Sequence, residues 1–229
     1  MDLSPHSLFD LESFAHKDLF NGCTYAWEVL SKIKTYLKEI KIFSIEVEIP
    51  SGVHLINPET ISIGKGTVVE PGAYIRGPCI IGQDCEIRHG AYIRGGVITG
   101  NKCVIGHDTE IKNSILLNDA KAAHFAYLGD SILGNAVNLG AGTKCANLRL
   151  DHKTLAIRVN KQKVQTGLKK IGAIIGDRTQ IGCNSVTNPG TIIGKDAFCY
   201  PCTNFGGVIP SNSTVKPSTR IIVTGHDSI

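Results

Sequence analysis

Along much of the chain an aliphatic residue returns at every sixth position, and a glycine often follows it, as in "IGKGTV", "IGQDCE" and "IGHDTE". A period of six is neither the 3.6 of a helix nor a strand alternation that could run on indefinitely. It fits a short strand whose aliphatic side chain points inward, followed by a tight turn that glycine permits. The positions that keep this step are Ile63, Val69, Ile75, Ile81, Ile87 and Ile93, then Ile105, Ile111 and Leu117, then Leu133 and Leu139, and finally Ile175, Ile181 and Ile193, with Thr187 as a polar exception.

Three such units in succession make one triangular coil, so the repeat predicts an all-β fold, the parallel β-helix of hexapeptide repeats. An all-β sandwich with scattered aliphatic residues is the alternative, but the many consecutive matches favour the coil. The step of six is lost between residues 117 and 133. The stacking of the coils beyond that point is therefore left open.

Residues 18 positions apart should lie on the same face of successive coils, about 4.8 Å apart. Arg76, Arg94 and Lys112 obey this spacing and predict a basic ladder on one face. Like charges at that distance repel each other, so stability alone does not account for the ladder, and an anionic ligand would neutralise it. Three separately solvated surface cations are the alternative interpretation.

Residues 1–50 do not follow the step of six, and we interpret them as an N-terminal helical extension of a β-helix domain at 51–229. The stretch "AWEVLSKIKTYLKEI" (26–40) spaces its apolar residues like one face of a helix, and "LFDLESF" (8–14) indicates a shorter helix. The extension would pack on the first coils or on a neighbouring subunit. A cap over the open end of the β-helix is equally compatible with the sequence.

Two further segments lack the repeat. Residues 150–170, "LDHKTLAIRVNKQKVQTGLKK", are rich in lysine and arginine, and the alternation in "TLAIRV" predicts an inserted β-hairpin. The insertion would be either a solvated loop or a cationic arm beside a polyanionic cofactor. Residues 206–229 are rich in glycine, proline, serine and threonine, and we interpret them as a C-terminal tail that closes the domain.

The composition narrows the class of protein. Of the 229 residues 42% are hydrophobic and 19% charged, as in soluble globular domains, and a net charge of +4 is too small to indicate a nucleic-acid partner. The chain starts with acidic residues and no signal-peptide core, and no run approaches the roughly 18 apolar residues of a membrane span. We expect a cytoplasmic protein without a membrane partner. The eight cysteines lack the paired clustering of a zinc site and are expected to be small buried thiols.

The stretch "KAAHFAYLGDSILGNAVNLGAGTKCANLRLDHK" (121–153) closely resembles the acetyltransferase domain of the bifunctional enzymes that make UDP-N-acetylglucosamine. Downstream, "TGLKKIGAIIGDRTQIGCNSVTNPG" resembles the archaeal sugar-1-phosphate nucleotidylyltransferase/acetyltransferase branch, including its inserted hairpin, and the resemblance in all covers residues 60–229. The resemblance implies that the β-helix is left-handed and that the protein is a homotrimer with active sites between adjacent subunits. The matching positions are His124, Tyr127, Leu128, Gly129, Asp130, Gly134, Asn138, Gly140, Gly142, Thr143 and Asn147.

The resemblance also implies an activity. It is the N-acetylation of an amino sugar phosphate, with glucosamine-1-phosphate as the first candidate, acetyl-CoA as the acyl donor and no metal. The Gly-rich motif of the nucleotidyltransferase half has no match in this sequence. We therefore expect no uridylyltransferase activity from this chain, and a separate nucleotidyltransferase is a candidate partner.

By the same resemblance, His124 takes the proton of the attacking amine, a role for which the near-neutral pKa of histidine is suited. Glu110 would orient the imidazole, and Arg94 and Lys112 would hold the phosphate, in agreement with the basic ladder. The remaining assignments are Tyr127 and Asn138 at the sugar or its phosphate. Backbone groups of Ala141, Asn147 and Leu148 would contact the pantetheine and thioester, and Cys183 would lie near CoA, where relatives carry a serine.

Two other functions remain open. One is a non-catalytic trimeric β-helix scaffold, and the other is a zinc enzyme of the γ-carbonic-anhydrase type on the same fold. The zinc site would need three histidines at a subunit interface, and no second histidine lies within a few positions of His124, which disfavours it. The other histidines are interpreted as structural or surface residues, and they include His54, His89, His107 and His152.

Overall fold

The computed structural model describes residues 1–40 and 43–218. The last part of the expected tail, 219–229, lies outside the described residues. The N-terminal segment contains two α-helices, α1 (Pro5–Leu8) and α2 (Val29–Glu39), and two 3-10 turns at Lys17–Phe20 and Ala26–Glu28. A third 3-10 turn, Pro58–Thr60, lies between the first two strands.

Three parallel eight-stranded sheets form the walls of a triangular solenoid, and we name them sheets A, B and C. Each coil contributes one short strand to each sheet. The strands of sheet A are Ile61–Ile63, Cys79–Ile81, Val97–Thr99, Ser114–Leu116, Ile132–Leu133, Ala173–Ile175, Thr191–Ile193 and Val208–Ile209. Those of sheet B are His54–Ile56, Tyr74–Arg76, Tyr92–Ile93, Glu110–Lys112, Tyr127–Gly129, Lys144–Cys145, Val186–Thr187 and Asn204–Phe205. Those of sheet C are Val68–Val69, Glu86–Ile87, Val104–His107, Lys121–His124, Asn138–Leu139, Gln180–Ile181, Phe198–Cys199 and Thr214–Val215.

The aliphatic residues of the repeat form the core of the solenoid. Ile75 pairs with Ile93, and Ile93 pairs with Ile111, so identical side chains stack in the interior from coil to coil. All three are fully buried in one hydrophobic cluster. The all-β parallel β-helix predicted from the repeat is therefore confirmed.

The loss of the six-residue step has a local cause. Ile93 pairs with Ile111, a step that keeps the period of the repeat, but Ile111 pairs with Leu128, a step that is shorter by one position. The missing position lies in the turn after Ile111, and a second one is missing from the turn after Leu128, which pairs with Cys145. As a result Leu116 packs in the interior, while Leu117 packs against the N-terminal segment on the outside. The expectation that Leu117 continues the inward column is wrong for this reason.

The N-terminal segment, residues 1–40, packs along the outer side of sheet A. Its buried side chains form a second hydrophobic cluster with outward-facing residues of that sheet, which is therefore apolar on both faces. The segment thus covers a side wall and does not cap an open end. The residues that helix α2 contributes to this second cluster are Val29, Leu30, Ile33 and Leu37. Those that sheet A contributes include Ile80, Ile98, Ile115, Ile132, Ile174 and Ile192.

Polar contacts tie this segment to the middle of the solenoid. The Asn118 side chain donates to the Ser13 carbonyl (3.2 Å), and the Asn135 side chain donates to the Asp10 carbonyl (2.8 Å). The backbone N–H of Asp10 donates to the Asp177 carboxylate at 2.7 Å. The segment therefore reaches coils well beyond the first ones.

The expected boundary between the two parts differs slightly from the observed one. Ile45 forms a parallel bridge with Ile63 and packs against the interior cluster, so the first coil begins inside the range 1–50. Within the insertion, an antiparallel hairpin is formed by Ala156–Val159 and Gln162–Gln165. The apolar side of this hairpin is buried in the cluster under the N-terminal segment, whereas its lysines are exposed.

The cysteines follow the expectation for the most part. Five thiols are buried, which raises the pKa of Cys79 to about 12 and that of Cys145 and Cys199 to about 11, so these three are inert at neutral pH. Cys183 and Cys202 are exposed instead. Residues 1–40 and 43–218 contain no helix with the length and apolar character needed to cross a bilayer.

Replacing Asp177 with alanine is expected to loosen the N-terminal segment. The carboxylate is fully buried and accepts from the backbone N–H groups of Asp10 and Asn135, both at 2.7 Å. Loss of this acceptor should lower the free energy of unfolding by about 1–3 kcal/mol and increase the proteolysis of residues 1–40. Asp10→Ala keeps the backbone N–H and is the matched control, expected to change little.

The contribution of Asp177 to the free energy of unfolding should also depend on pH. Burial raises the pKa of its carboxyl, so protonation is more favourable in the folded than in the unfolded chain. Its contribution to stability is then greatest below the ordinary aspartate pKa and falls as the pH rises through the raised value. The difference in unfolding free energy between wild type and Asp177→Ala should be larger in mildly acidic than in neutral buffer. A difference that grows towards neutral pH would contradict this.

Candidate functional site

The residues assigned from the sequence lie mainly on one side of the solenoid, along the outer face of sheet B and the two corners that flank it. We call the turn from sheet C into sheet B, which contains His124, the histidine corner. The turn from sheet B into sheet A, which contains Asp130, is the Asp130 corner. Because each coil crosses both corners, the site is built from side chains that recur once per coil.

At the histidine corner, His124 is the last residue of the strand Lys121–His124 and is exposed. It pairs in register with His107 on the preceding coil. In the part of the chain that the structure describes, neither ring nitrogen of His124 has a hydrogen-bond partner. The chain then turns sharply at Phe125, whose φ is 35° and whose N–H donates to the His107 carbonyl. The imidazole is therefore free to act on a bound molecule.

Backbone hydrogen bonds place two of the assigned cofactor residues in the same column as His124. The Gly142 N–H donates to the His124 carbonyl (3.1 Å), and the Asn184 N–H donates to the Ala141 carbonyl (2.8 Å). His124, Ala141 and Cys183, the residue before Asn184, thus follow one another on three successive coils. A molecule lying along this corner towards the later coils would touch all three.

The histidine corner also contains residues that the sequence interpretation missed. The rings of His89 and His107 stack at 5.9 Å between centroids, and the Nδ1 atom of His107 lies 3.1 Å from the His89 carbonyl oxygen. His89, His107 and His124 thus form one column. Their separation by about one coil each is the sequence signal for this column. Within residues 1–40 and 43–218 no cluster of three or more His, Cys, Asp or Glu residues is arranged to hold a metal ion.

The Asp130 corner is a buried polar network. The Asp130 carboxylate is buried and accepts hydrogen bonds from Lys112 Nζ (2.7 Å), Asn113 Nδ2 (2.9 Å) and Asn147 Nδ2. The Lys112 side chain is only 19% exposed. Two residues assigned to ligands, Lys112 and Asn147, are thus brought together here, but their side chains hold the corner.

The base of the insertion adjoins this network. Leu148 forms an antiparallel bridge with Lys170, and the Ile171 N–H donates to the Asn147 carbonyl (3.0 Å). Leu148 is half-buried. The chain therefore leaves the solenoid at the Asp130 corner and returns to it there.

Between the two corners, the face of sheet B carries Glu110 and Tyr127, which pair in register. The Glu110 carboxylate forms an ion pair with the Arg94 guanidinium, which raises the pKa of Arg94. The described residues show no hydrogen bond between Glu110 and His124. Glu110 therefore orients Arg94 in this structure, whereas the sequence interpretation had it orient the imidazole.

The basic ladder is confirmed as a column, but its members have different partners. Tyr74 pairs with Tyr92, and Tyr92 pairs with Glu110, so Arg76, Arg94 and Lys112 follow on successive coils. Arg94 and Lys112 each bind a carboxylate, and this relieves part of the repulsion on which the argument for an anionic ligand rested.

Asn138 lies apart from the other assigned residues. It belongs to sheet C, pairs with Lys121 and Gln180, and lines a cavity of about 410 Å³ on that side of the solenoid. Asn138 and Tyr127 therefore lie on different walls of the solenoid in one chain. A larger cavity of about 550 Å³, lined by the N-terminal segment and Lys195, contains none of the assigned residues.

Comparison with known proteins bears on the family resemblance. The family model described as the GMPPB C-terminal domain matches residues 75–169. A protein named bifunctional protein GlmU from Methanococcus maripaludis is 33% identical over 208 residues, which cover 91% of this chain and 50% of that protein. The resemblance inferred from the sequence is confirmed.

Another relative with a bifunctional name matches a shorter stretch of the chain. The bifunctional sugar-1-phosphate nucleotidylyltransferase/acetyltransferase of Sulfurisphaera tokodaii is 40% identical over 88 residues, which cover 38% of this chain and 22% of that protein. The chain thus matches half or less of the length of these curated relatives. Among solved structures, an Arabidopsis UDP-N-acetylglucosamine acyltransferase aligns over 76% of this chain and 70% of its own, with 13% identity and a TM-score of 0.46. That last similarity is too low to carry an argument about function.

Proposed function

We propose that the protein is an acetyl-CoA-dependent N-acetyltransferase that acts on an amino sugar phosphate, with glucosamine-1-phosphate as the first substrate to test. The observation that carries the proposal is the exposed imidazole of His124, which has no hydrogen-bond partner among residues 1–40 and 43–218 and lies in one column with Ala141 and Cys183. The similarity to proteins named as bifunctional nucleotidylyltransferase/acetyltransferases supports it.

In the proposed reaction, the neutral amine of the sugar attacks the thioester carbonyl while His124 accepts a proton from the nitrogen. The tetrahedral intermediate then collapses and its C–S bond breaks. The CoA sulfur receives the proton that His124 took from the amine, and CoA leaves as the thiol. Backbone N–H groups near Ala141 and Asn147 are candidates for stabilising the oxyanion. These steps balance without a metal or a redox partner.

The remaining residues would bind and orient the two substrates. Arg94, which forms an ion pair with Glu110, would bind the phosphate of the sugar. The Lys112 ammonium, which forms an ion pair with Asp130, would add positive charge near that phosphate. The Tyr127 hydroxyl would contact the sugar. Asn138 would then contribute from a neighbouring copy, as in the homotrimer that the resemblance implies, because it lies on a different sheet from Tyr127 in its own chain.

The direct test is turnover by the purified full chain with acetyl-CoA and glucosamine-1-phosphate. The N-acetylated product should be measured by mass spectrometry, since the exposed Cys183 and Cys202 would react with a thiol reagent and obscure CoA release. Glucose-1-phosphate, which has the same phosphate but no amine, is the control and should yield no product. If no amino sugar phosphate is acetylated in a panel that includes free and nucleotide-linked amino sugars, the scaffold hypothesis is the better one.

A further inference from the structure

Four side chains on the early coils of sheet B form a two-by-two arrangement that we call the Tyr–Arg patch: Tyr74, Arg76, Tyr92 and Arg94. The rings of Tyr74 and Tyr92 lie 5.1 Å apart at an angle of 72°. The guanidinium carbon of Arg76 lies 5.9 Å from the centre of the Tyr74 ring, and that of Arg94 lies 5.8 Å from the centre of the Tyr92 ring. The His54 ring extends the aromatic column by one coil.

Folding alone does not account for this patch. Tyr92 is 39% exposed although it lies in the middle of a wall, and Arg76 is exposed as well. Among the described residues Arg76 has no carboxylate within ion-pair distance, and its guanidinium donates only to the Tyr74 hydroxyl (3.0 Å). The arginines that do have a carboxylate partner are Arg88, Arg94, Arg149 and Arg178.

The chemistry of the patch fits a nucleotide. Exposed aromatic rings stack on nucleobases with little regard to their identity. Guanidinium groups bind phosphate oxygens in a planar, bidentate manner. Two tyrosines beside two arginines therefore offer a base-stacking surface next to a diphosphate-binding surface.

The position of the patch connects it to the candidate acetyl-transfer site. Arg94 belongs to both, and the aromatic column continues directly into Glu110 and Tyr127. From the coil of Tyr74 to the coil of Tyr127 there are three coil spacings, roughly 14 Å along the solenoid. An extended nucleoside diphosphate sugar can cover that distance, whereas a monosaccharide phosphate cannot.

We propose that the Tyr–Arg patch binds the nucleoside diphosphate part of a nucleotide sugar, with the sugar lying at Glu110 and Tyr127. The base would stack on Tyr74 and Tyr92, and Arg76 and Arg94 would bind the diphosphate. The inference deepens the proposed function, on which its catalytic consequence rests, because the amino sugar phosphate that is acetylated would be attached to a nucleotide. Binding at the patch does not itself require turnover.

A second copy of this chain is the competing occupant of the patch. The surface chemistry favours a contact between subunits on sheet C and not on sheet B. Two strongly exposed apolar side chains, Val68 (58%) and Phe198 (55%), lie within strands of sheet C, whereas Phe125 (52%) lies at the histidine corner and Leu150 (100%) in the insertion, outside the strands of sheet B. The face of sheet B continues instead into charged residues, including Glu110 and Lys144. Such a surface fits an anionic ligand better than an apolar contact between subunits.

The test is calorimetric titration of the full chain with UDP and with GDP, using inorganic pyrophosphate for comparison. Wild type should bind at least one of the two nucleotides at least about tenfold more tightly than pyrophosphate. Tyr92→Ala should weaken nucleotide binding by about fivefold to a hundredfold, the range that base–aromatic stacking provides, and leave pyrophosphate binding unchanged. Arg76→Ala should weaken the binding of both kinds of ligand.

Tyr200→Ala is the matched control, because Tyr200 is 47% exposed and has a cation of its own, Lys216, at 5.2 Å. It should bind nucleotide like wild type. The proposal is overturned if neither nucleotide binds, if pyrophosphate binds equally well, or if Tyr92→Ala only changes the oligomeric state in size-exclusion chromatography. Nucleotide binding without acetylation of any amino sugar would reject the proposed function and leave this site standing. Acetylation of an amino sugar phosphate without nucleotide binding would support the proposed function and reject the nucleotide site at the Tyr–Arg patch.

Discussion

His124→Ala is expected to lower the rate of acetyl transfer by about 10²–10⁴-fold, the usual contribution of a positioned general base. The imidazole has no partner among the described residues and is exposed, so its removal leaves no buried polar group unsatisfied. The thermal midpoint should therefore stay close to that of wild type, and KM for the sugar should change little. Steady-state kinetics and a thermal melt of the same preparation check both expectations.

His107→Ala is the matched control for this variant. His107 lies in the same column one coil earlier, pairs with His124 and is also exposed. If His124 is the base, the loss of the His107 ring should lower the rate by less than about tenfold, because it removes no proton-transfer step. Equal losses in the two variants would mean that the histidine column acts as a unit, and an active His124→Ala would reject the assigned role.

Asp130→Ala should cause the largest loss of stability, about 3–5 kcal/mol of unfolding free energy, as is found when one partner of a buried ion pair is removed. The Lys112 ammonium, 2.7 Å from the carboxylate, would be left largely buried without a counter-charge. Asn113 and Asn147 would lose their common acceptor. Denaturant titration measures the change.

Two further variants distinguish the charge effect from simple truncation. Combining Asp130→Ala with Lys112→Met should recover part of the loss, because no unpaired charge remains buried. Asp196→Ala breaks the exposed ion pair with Arg178 and should cost far less. A loss below about 1 kcal/mol for Asp130→Ala, or no recovery in the double variant, would show that the network does not hold this corner.

The repeat predicted the solenoid well because an inward aliphatic residue at every sixth position has one simple structural solution. The column of Ile75, Ile93 and Ile111 follows from the spacing alone. The same rule failed at Leu117, since one residue is missing from the turn after Ile111 and another from the turn after Leu128, which shifts the side chains that follow each turn. A repeat rule cannot locate such a deletion, because Leu116 and Leu117 are equally apolar and only the packing decides which of them faces inward.

The candidate site was predicted in part. The motif around His124 and the ladder of Arg76, Arg94 and Lys112 could be read from residue types and spacing. The ion pair of Glu110 with Arg94 could not, because side-chain partners depend on which positions share a face and on rotamers. The histidine column was accessible in principle from its spacings, once the shortened coil was known.

The sequence by itself determined the β-helix, the inserted hairpin and the family resemblance, because each depends on local periodicity or on a contiguous motif. Only the tertiary structure decided where the N-terminal segment packs, since apolar residues on helix α2 and on the outside of sheet A are each compatible with several partners. It also decided that Lys112 and Asn147 support Asp130 and that Asn138 faces another wall. These outcomes depend on contacts between residues distant in sequence. Such contacts form, and stabilise the fold, only when the coils have stacked.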